Sequence, residues 1–183
     1  MRTIATERLA LVPVAAQNAA AVWNLYQYPD LRTYQDLPDM DLAHFTRIVA
    51  ARPKALRPGA YGRFEWLIYL EGVASPAGFA SLRIGERSAA SAEIGYSIVS
   101  SYRNRGIASE AVRALVSEGF QSLNLRRVRA YCVPENNASR VVLSRIGFQS
   151  DGTLPHGATV QGRAVDVLGF VLERSRWQSF ANV

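Results

Sequence analysis

The sequence predicts one mixed α/β domain, a central sheet of about six to seven strands flanked by about four helices. Three observations carry this. A chain of 183 residues suits a single core. The apolar periodicity switches from helical to strand-like near Arg63. Further on, a strand, a long amphipathic helix and a second strand succeed one another, the order of a parallel right-handed crossover. With no internal repeat or linker, one domain is expected over residues 1–183, its core at about 6–174.

The first strand is expected over Leu9 to Val14, after Thr6-Glu7-Arg8. A helix follows from Ala15 to Tyr26, where Ala19, Val22, Trp23 and Tyr26 share a face, and Pro29-Asp30 ends it. Pro38 and Asp39 supply a turn and cap for a second helix, Asp41 to Ala51. Arg52 to Gly62 holds two prolines and two glycines and reads as a loop. Phe64–Leu70, Ala77–Ile84 and Ala92–Val99 are rich in β-favouring residues and form an antiparallel meander, the last two joined by Gly85 to Ser91.

Ile107 to Ser122 is the strongest helix, its stripe formed by Ala108, Ala111, Val112, Leu115, Val116 and Phe120. Leu125 to Val133 is a strand with Val128, Ala130 and Cys132 on one face, closed by Pro134. Ser139 to Ile146 is a short helix that Gly147 ends. Phe148–Leu154 and Ala164–Leu172 complete the sheet as a hairpin with a long loop, Pro155 to Gly162.

Composition narrows the chemistry. Lys plus Arg is 21 against 15 Asp plus Glu, and Lys54 is the only lysine, so the net charge of +6 is an arginine surplus. Arginine forks suit phosphates and carboxylates, yet no basic run concentrates the charge and a solvated basic surface accounts for it equally well. The single Cys132 excludes an internal disulfide, and with only His44 and His156 a Cys/His zinc cage is excluded too. The opening residues lack signal-peptide blocks and no stretch reaches 18 apolar residues, so a cytoplasmic protein without a membrane partner is expected.

The informative segment is Ala92 to Ala108, a strand running through a short loop into the strongest helix. Such a junction offers unpaired N–H groups and the positive end of the helix dipole, which bind phosphate or pyrophosphate. Arg103 and Arg105 add charge, Gly106 lets the backbone approach an oxyanion, and Ala108 keeps the first turn unobstructed. An ordinary basic turn ending in glycine fits these residues equally well. Neither G-x-G-x-x-G nor G-x-x-x-x-G-K-[ST] occurs, which argues against nicotinamide cofactors and nucleoside-triphosphate hydrolysis.

Together with Tyr131 to Phe148, this segment resembles the GNAT superfamily of acyl-CoA N-acyltransferases, and within it the RimJ/RimL-like ribosomal-protein N-acetyltransferases. Thr6-Glu7-Arg8-Leu9 is similar to the family's opening strand and Glu93-Ile94-Gly95-Tyr96 to its fourth. Arg103-x-x-Gly106-x-Ala108 is similar to its cofactor loop, and Asn136-x-x-Ser139 with Gly147-Phe148 to its second conserved segment. The resemblance covers nearly the whole chain. It implies the GNAT fold and acetyl-CoA as donor, with the amides of Arg103, Asn104, Arg105, Gly106, Ile107 and Ala108 on the pyrophosphate. The strand end at Ile98 and Val99 would pair with the pantetheine arm, and Asn136 would also contact it.

In this subfamily the position of Ser139 is assigned to protonating the departing thiolate. Ser139 also suits the N-cap of the helix that begins there, and both roles can coexist. Many GNAT enzymes carry a tyrosine acid where this chain has Leu143, a departure that favours Ser139. Glu93 is the expected base, acting through water on an amine whose pKa is about 8 for an α-amine and about 10.4 for a lysine. A glutamate tied to one of the many arginines is the competing reading. Cys132 reads as core packing rather than as a nucleophile, so direct attack of the amine in a ternary complex is expected, with no metal.

The acceptor is a primary amine, either a protein N-terminus, including that of a ribosomal protein, or a small molecule. Trp23, Tyr26, Tyr28 and Tyr34 cluster around the first helix, as core or as substrate contact. Asp30, Asp36, Asp39 and Asp41 keep polyamines and aminoglycosides open as acceptors, and His156 is either an acceptor-side residue or a surface histidine. The alternative function is a non-catalytic acyl-CoA-binding or sensing module. A nucleic-acid binder ranks last, because no recognition helix or stacking motif is present. Exposed hairpin edges with Trp177 and Phe180 make a homodimer an expectation.

Overall fold

The computed structural model describes residues 1–85 and 90–181, with side chains to Ser179. Part of the expected Gly85–Ser91 connection and the Phe180 side chain lie outside the described residues. In chain order the elements are β1 (Ile4–Ala5), β2 (Leu9–Pro13), α1 (Ala19–Tyr26), α2 (Leu42–Ala51), β3 (Gly62–Leu70), β4 (Gly78–Ile84) and β5 (Ser91–Ile98). They continue with α3 (Ile107–Gln121), β6 (Arg127–Cys132), α4 (Asn137–Ile146), β7 (Gln149–Val160), β8 (Arg163–Glu173) and α5 (Arg174–Ala181). One eight-stranded sheet runs β1-β2-β3-β4-β5-β6-β8-β7, and β5 and β6 are its parallel pair. The architecture is the one expected, with one more strand than the upper count and a fifth helix.

The additions have local causes. Thr6 to Arg8 is the turn between the two-residue β1 and β2, closed by Thr6 N donating to Leu9 O at 2.9 Å. The predicted Pro155–Gly162 loop is instead strand. β7 runs on to Val160 at the sheet edge, where a proline lacks no ladder partner, and register shifts between Ser150 and Thr153 and between Leu154 and Ala158 absorb the irregularity. His156 and Gly152 take the positive φ values of 52° and 85° that these bends need. Gln161 (φ 52°) and Gly162 (φ 73°) then make the tight two-residue reversal into β8.

The sheet carries helices on both faces. Ala92, Ile94 and Ile98 of β5, with Trp66, Ala80 and Leu82, pack under Ile107, Ala111, Val112 and Leu115 of α3 and Leu143 of α4. On the other face Leu67 and Phe79 meet Val22, Leu25 and Tyr26 of α1 and Phe45 and Val49 of α2. α2 is capped by Asp41, whose carboxylate accepts from His44 N at 2.7 Å, two residues later than the expected cap at Asp39.

A buried carboxylate ties α1 and α2 to this face. Glu65 accepts from Arg52 at 2.5 Å, Arg63 at 2.7 Å and the Tyr26 hydroxyl at 3.1 Å. Burial alone would raise its pKa, but the two guanidinium groups hold it below the usual carboxylate range. Tyr26, pushed upward first by burial and then by Glu65, stays a donor.

Candidate functional site

β5 and β6 pair only from Ser91–Arg127 to Glu93–Arg129, although β5 continues to Ile98 and β6 to Cys132. Beyond Glu93 the sheet is therefore split. β5 keeps its β4 partner as far as Ile98, and β6 keeps its β8 partner as far as Cys132. The β6-facing edge of Ile94–Ile98 is left with the backbone groups that an extended, amide-bearing ligand satisfies.

At the far end of the split, residues 99–106 lead into α3. Asn104 (φ 60°) and Gly106 (φ 78°) both take left-handed backbone, and Gly106 is the N-cap with no side-chain cap. The amides of Ile107, Ala108 and Ser109 thus remain available at the positive end of a 15-residue helix. The loop is fixed from behind. Arg8 donates to Glu110 through Nε at 2.8 Å and Nη2 at 2.6 Å, and through Nη1 to Arg105 O at 3.2 Å. Thr6 Oγ1 donates to the same carboxylate at 2.6 Å. Partial burial would raise Glu110's pKa, but Thr6 and Arg8 hold it low, so its charge in the first turn is neutralised locally.

The two loop arginines differ. Arg105 lays its guanidinium 5.8 Å over the Tyr102 ring and is exposed. Arg103 turns away from the helix end, donating to Ile98 O at 2.9 Å and to Asp30 Oδ2 at 3.0 Å. Asp30 also accepts from Ser100 N at 2.9 Å. Arg103 is thus a strut between the end of β5 and the α1–α2 connection, which changes the expectation that its side chain serves phosphate.

On the α3 side of the split lies Ser139, in the first turn of α4. The helix starts two residues earlier than expected, and the cap is Asn136, whose Oδ1 accepts from Ser139 N at 3.1 Å. This corrects the reading of Ser139 as N-cap and leaves its hydroxyl free of that duty. Ser139 Oγ is 2.8 Å from the Tyr96 hydroxyl and lies near the Cys132 thiol. Burial pushes Tyr96 up to about 12 and raises the Cys132 thiol, which marks Cys132 as a protonated packing residue rather than a thiolate nucleophile. Leu143 is fully buried core.

The opposite face of β5 presents Glu93, Gly95 and Ser97 toward the α1–α2 side. Ser97 Oγ accepts from Gln35 Nε2 at 2.6 Å, and Gln161 N at the hairpin tip donates to Asp36 at 2.7 Å, so this connection and the hairpin enclose the strand end. Glu93 stands at the closed end of the split, paired with Arg83 at 2.9 Å and 38% exposed. Four residues of extended strand put it about 13 Å below Ser97. The tie to Arg83 is the competing reading of this glutamate. The aromatic cluster divides. Trp23 donates to Met40 O and Tyr26 is buried, whereas Tyr28 and Tyr34 are exposed at the connection. The acidic cluster divides too, since Asp30, Asp36 and Asp41 each hold a structural hydrogen bond. His156 lies on the exposed β7, its amide donating to Asp166.

A split parallel pair that opens onto an uncapped helix N-terminus at Gly106 is matched over residues 8–149 by a family model, the acetyltransferase (GNAT) domain. The chain belongs to the GNAT family. A Bacillus licheniformis N-acetyltransferase, p20, is 30% identical over 174 residues, covering 94% of this chain and 96% of its own. The Mycobacterium smegmatis RimJ structure with a CoA-disulfide is 25% identical, has a TM-score of 0.72, and is matched over 91% of this chain and 82% of its own. RimL, a ribosomal L7/L12 alpha-N-protein acetyltransferase solved with CoA in a cysteine disulfide, shares the fold at TM-score 0.78 and 20% identity. That match covers 94% of this chain and 98% of its own. This GNAT protein is an N-acetyltransferase that takes an acyl group from acyl-CoA to an amine. Among its described residues no helix is long and apolar enough to cross a membrane.

The fold brings Ile98, Val99, Gly106–Ala108, Asn136 and Ser139 around one opening and leaves Glu93 at its closed end. Sequence reading missed Tyr96, Ser97, Gln35 and the Arg8–Glu110 clasp. Alternation along β5 carried a signal for the first two, because Tyr96 and Ser97 must face opposite sides of the sheet near its open end.

Proposed function

We propose that this GNAT enzyme uses acetyl-CoA and transfers the acetyl group to a primary amine by direct attack, a protein N-terminal α-amine being the favoured acceptor. It acts as a single domain over residues 1–183. The observation that carries the reading is the split between β5 and β6 with Ser139 on one face and the Ser97–Gln35 enclosure on the other. A thioester lying through the split exposes its sulfur to Ser139 and its carbonyl carbon to an amine arriving from the α1–α2 side.

In this reading the amides of Asn104 to Ala108 hold the pyrophosphate, Arg105 adds charge beside them, and the free edge near Ile98 and Val99 pairs with the pantetheine amides. Asn136 supports that arm chiefly by holding α4 in place. The amine nitrogen bonds to the carbonyl carbon, the carbon–sulfur bond breaks, and Ser139 Oγ–H meets the developing thiolate. The amine's proton leaves through water to Glu93. An α-amine of pKa about 8 gives up its proton more readily than a lysine of about 10.4, which favours the α-amine as acceptor. Acceptance of a ribosomal protein draws support from the neighbour RimL, a ribosomal L7/L12 alpha-N-protein acetyltransferase.

The test is thiol release from acetyl-CoA with peptides beginning Ala, Ser or Thr, with polyamines and with aminoglycosides. Peptide-dependent release, reduced at least tenfold in Ser139→Ala, is the expected result. Thermal protection by acetyl-CoA without release by any amine would overturn the reading in favour of a binding module.

A further inference from the structure

We infer that Tyr96 is a positioning residue for Ser139, setting the direction of the hydroxyl that meets the departing sulfur. The inference deepens the proposed function and rests on Ser139 being the donor to that sulfur.

The Tyr96 oxygen lies 2.8 Å from Ser139 Oγ and 3.3 Å from Ser139 O, reaching across from β5 to the first turn of α4. The phenol proton has two acceptors on Ser139, and Oγ at 2.8 Å is closer than the carbonyl oxygen at 3.3 Å. Tyr96 is largely buried and its phenol stays protonated across the working range. If its single proton goes to Ser139 Oγ, the serine proton is excluded from that direction and points elsewhere. The Cys132 thiol is the other titratable group near Ser139. With Oγ filled from Tyr96, the serine proton is left to point away from β5, toward a sulfur lying in the split. Donation into Oγ also polarises the serine O–H, because chained hydrogen bonds strengthen one another in a low dielectric.

Two further facts favour this over simple packing. Asn136 caps α4 through the Ser139 amide, which frees the serine hydroxyl from backbone duty. Leu143, one turn further on, offers no polar group. Tyr96 is thus the partner that orders Ser139 from the sheet. The charged and titratable groups around it are Cys132 on β6 and, acting on that thiol, Arg140 on α4.

The experiment compares the full-length protein with Tyr96→Phe, Ser139→Ala and the double variant, following CoA release at saturating peptide, with melting temperatures as a check on folding. Tyr96→Phe is expected to lower kcat about tenfold, with the donor KM within twofold. In the Ser139→Ala background the same change is expected to leave kcat within twofold. A purely structural tyrosine would lower kcat by the same factor in both backgrounds, which would overturn the inference, as would an unchanged kcat in Tyr96→Phe. If Ser139→Ala itself keeps full kcat, the proposed acid fails, a result distinct from failure of Tyr96 alone. A second variant replaces Tyr96 by 3,5-difluorotyrosine, whose more acidic phenol ionises within the assay range. An added alkaline fall in kcat is expected, since a phenolate cannot donate to Ser139, and a pH profile identical to the wild type would refute the role.

Discussion

Replacing Gly106 separates strain from occlusion at the cofactor loop. At φ 78° any Cβ incurs the left-handed penalty of roughly 1–2 kcal/mol, partly offset by about 0.4–1 kcal/mol of lost unfolded-state entropy. The net cost of Gly106→Ala is then about 1 kcal/mol, a fall in Tm of about 2–4 °C for a chain of this size. The new Cβ meets the Arg8 guanidinium at 3.3 Å, which gives by a few tenths of an ångström while keeping its clasp on Glu110. Alanine therefore strains the fold and leaves the amides of Ile107 to Ser109 open. Gly106→Trp carries the same backbone strain, but its ring displaces Arg8 and covers those amides. Losing even one charge-assisted hydrogen bond of about 1.5–3 kcal/mol raises the donor KM at least tenfold. Scanning calorimetry and donor-saturation kinetics on the pair read both quantities. If the tryptophan variant keeps a donor KM within twofold of the alanine variant, the amides do not hold the donor and the assignment of this loop is wrong.

Glu65→Gln breaks a buried pair that serves two arginines, and chemical denaturation is expected to show a loss of about 3–5 kcal/mol at pH 7. Because the folded-state pKa of Glu65 is depressed, its contribution is present above the ordinary carboxylate value of about 4.3 and is lost as pH falls through the lower folded value. The difference between wild type and variant must therefore shrink below about pH 4, and a constant gap at low pH contradicts the assignment. Asp41→Ala removes the α2 cap and is expected to lower the melting temperature with kcat unchanged. Asp30→Ala frees Arg103 and Ser100 N together, so both donor and acceptor KM are expected to rise, and a change confined to one substrate would show that the strut serves that side alone.

Much of this site was legible because its parts are local. Gly106 before an amphipathic helix, and Asn136 and Ser139 before another, are short-range patterns whose backbone consequences follow from dihedral and capping preferences. The pairings across the fold were not legible. Nothing in the spacing of Arg103 says that its fork turns to Asp30, 73 residues earlier, rather than to phosphate. Glu93 and Arg83 become partners only through the β4–β5 register. The length of β7 was misread because Pro155 and Gly157 break central strands but not an edge, and edge position is a property of the finished sheet. Tyr96 was passed over because the missing tyrosine at Leu143 turned attention to Ser139 alone, although the sheet supplies a phenol to the same helix turn.

The Arg103 strut gives the two sides of the proposed site a shared side chain. One guanidinium holds the Ile98 carbonyl, in the wall of the donor opening, and Asp30, in the segment that roofs the acceptor side. A donor that binds more tightly when the strut is closed also shifts the acceptor segment toward its closed position. By reciprocity, the acceptor then tightens the donor by the same factor. An arginine first read as a phosphate ligand is thus a tie between the end of β5 and the α1–α2 connection, and double-substrate binding measured in Asp30→Ala reads whether that tie links the two equilibria.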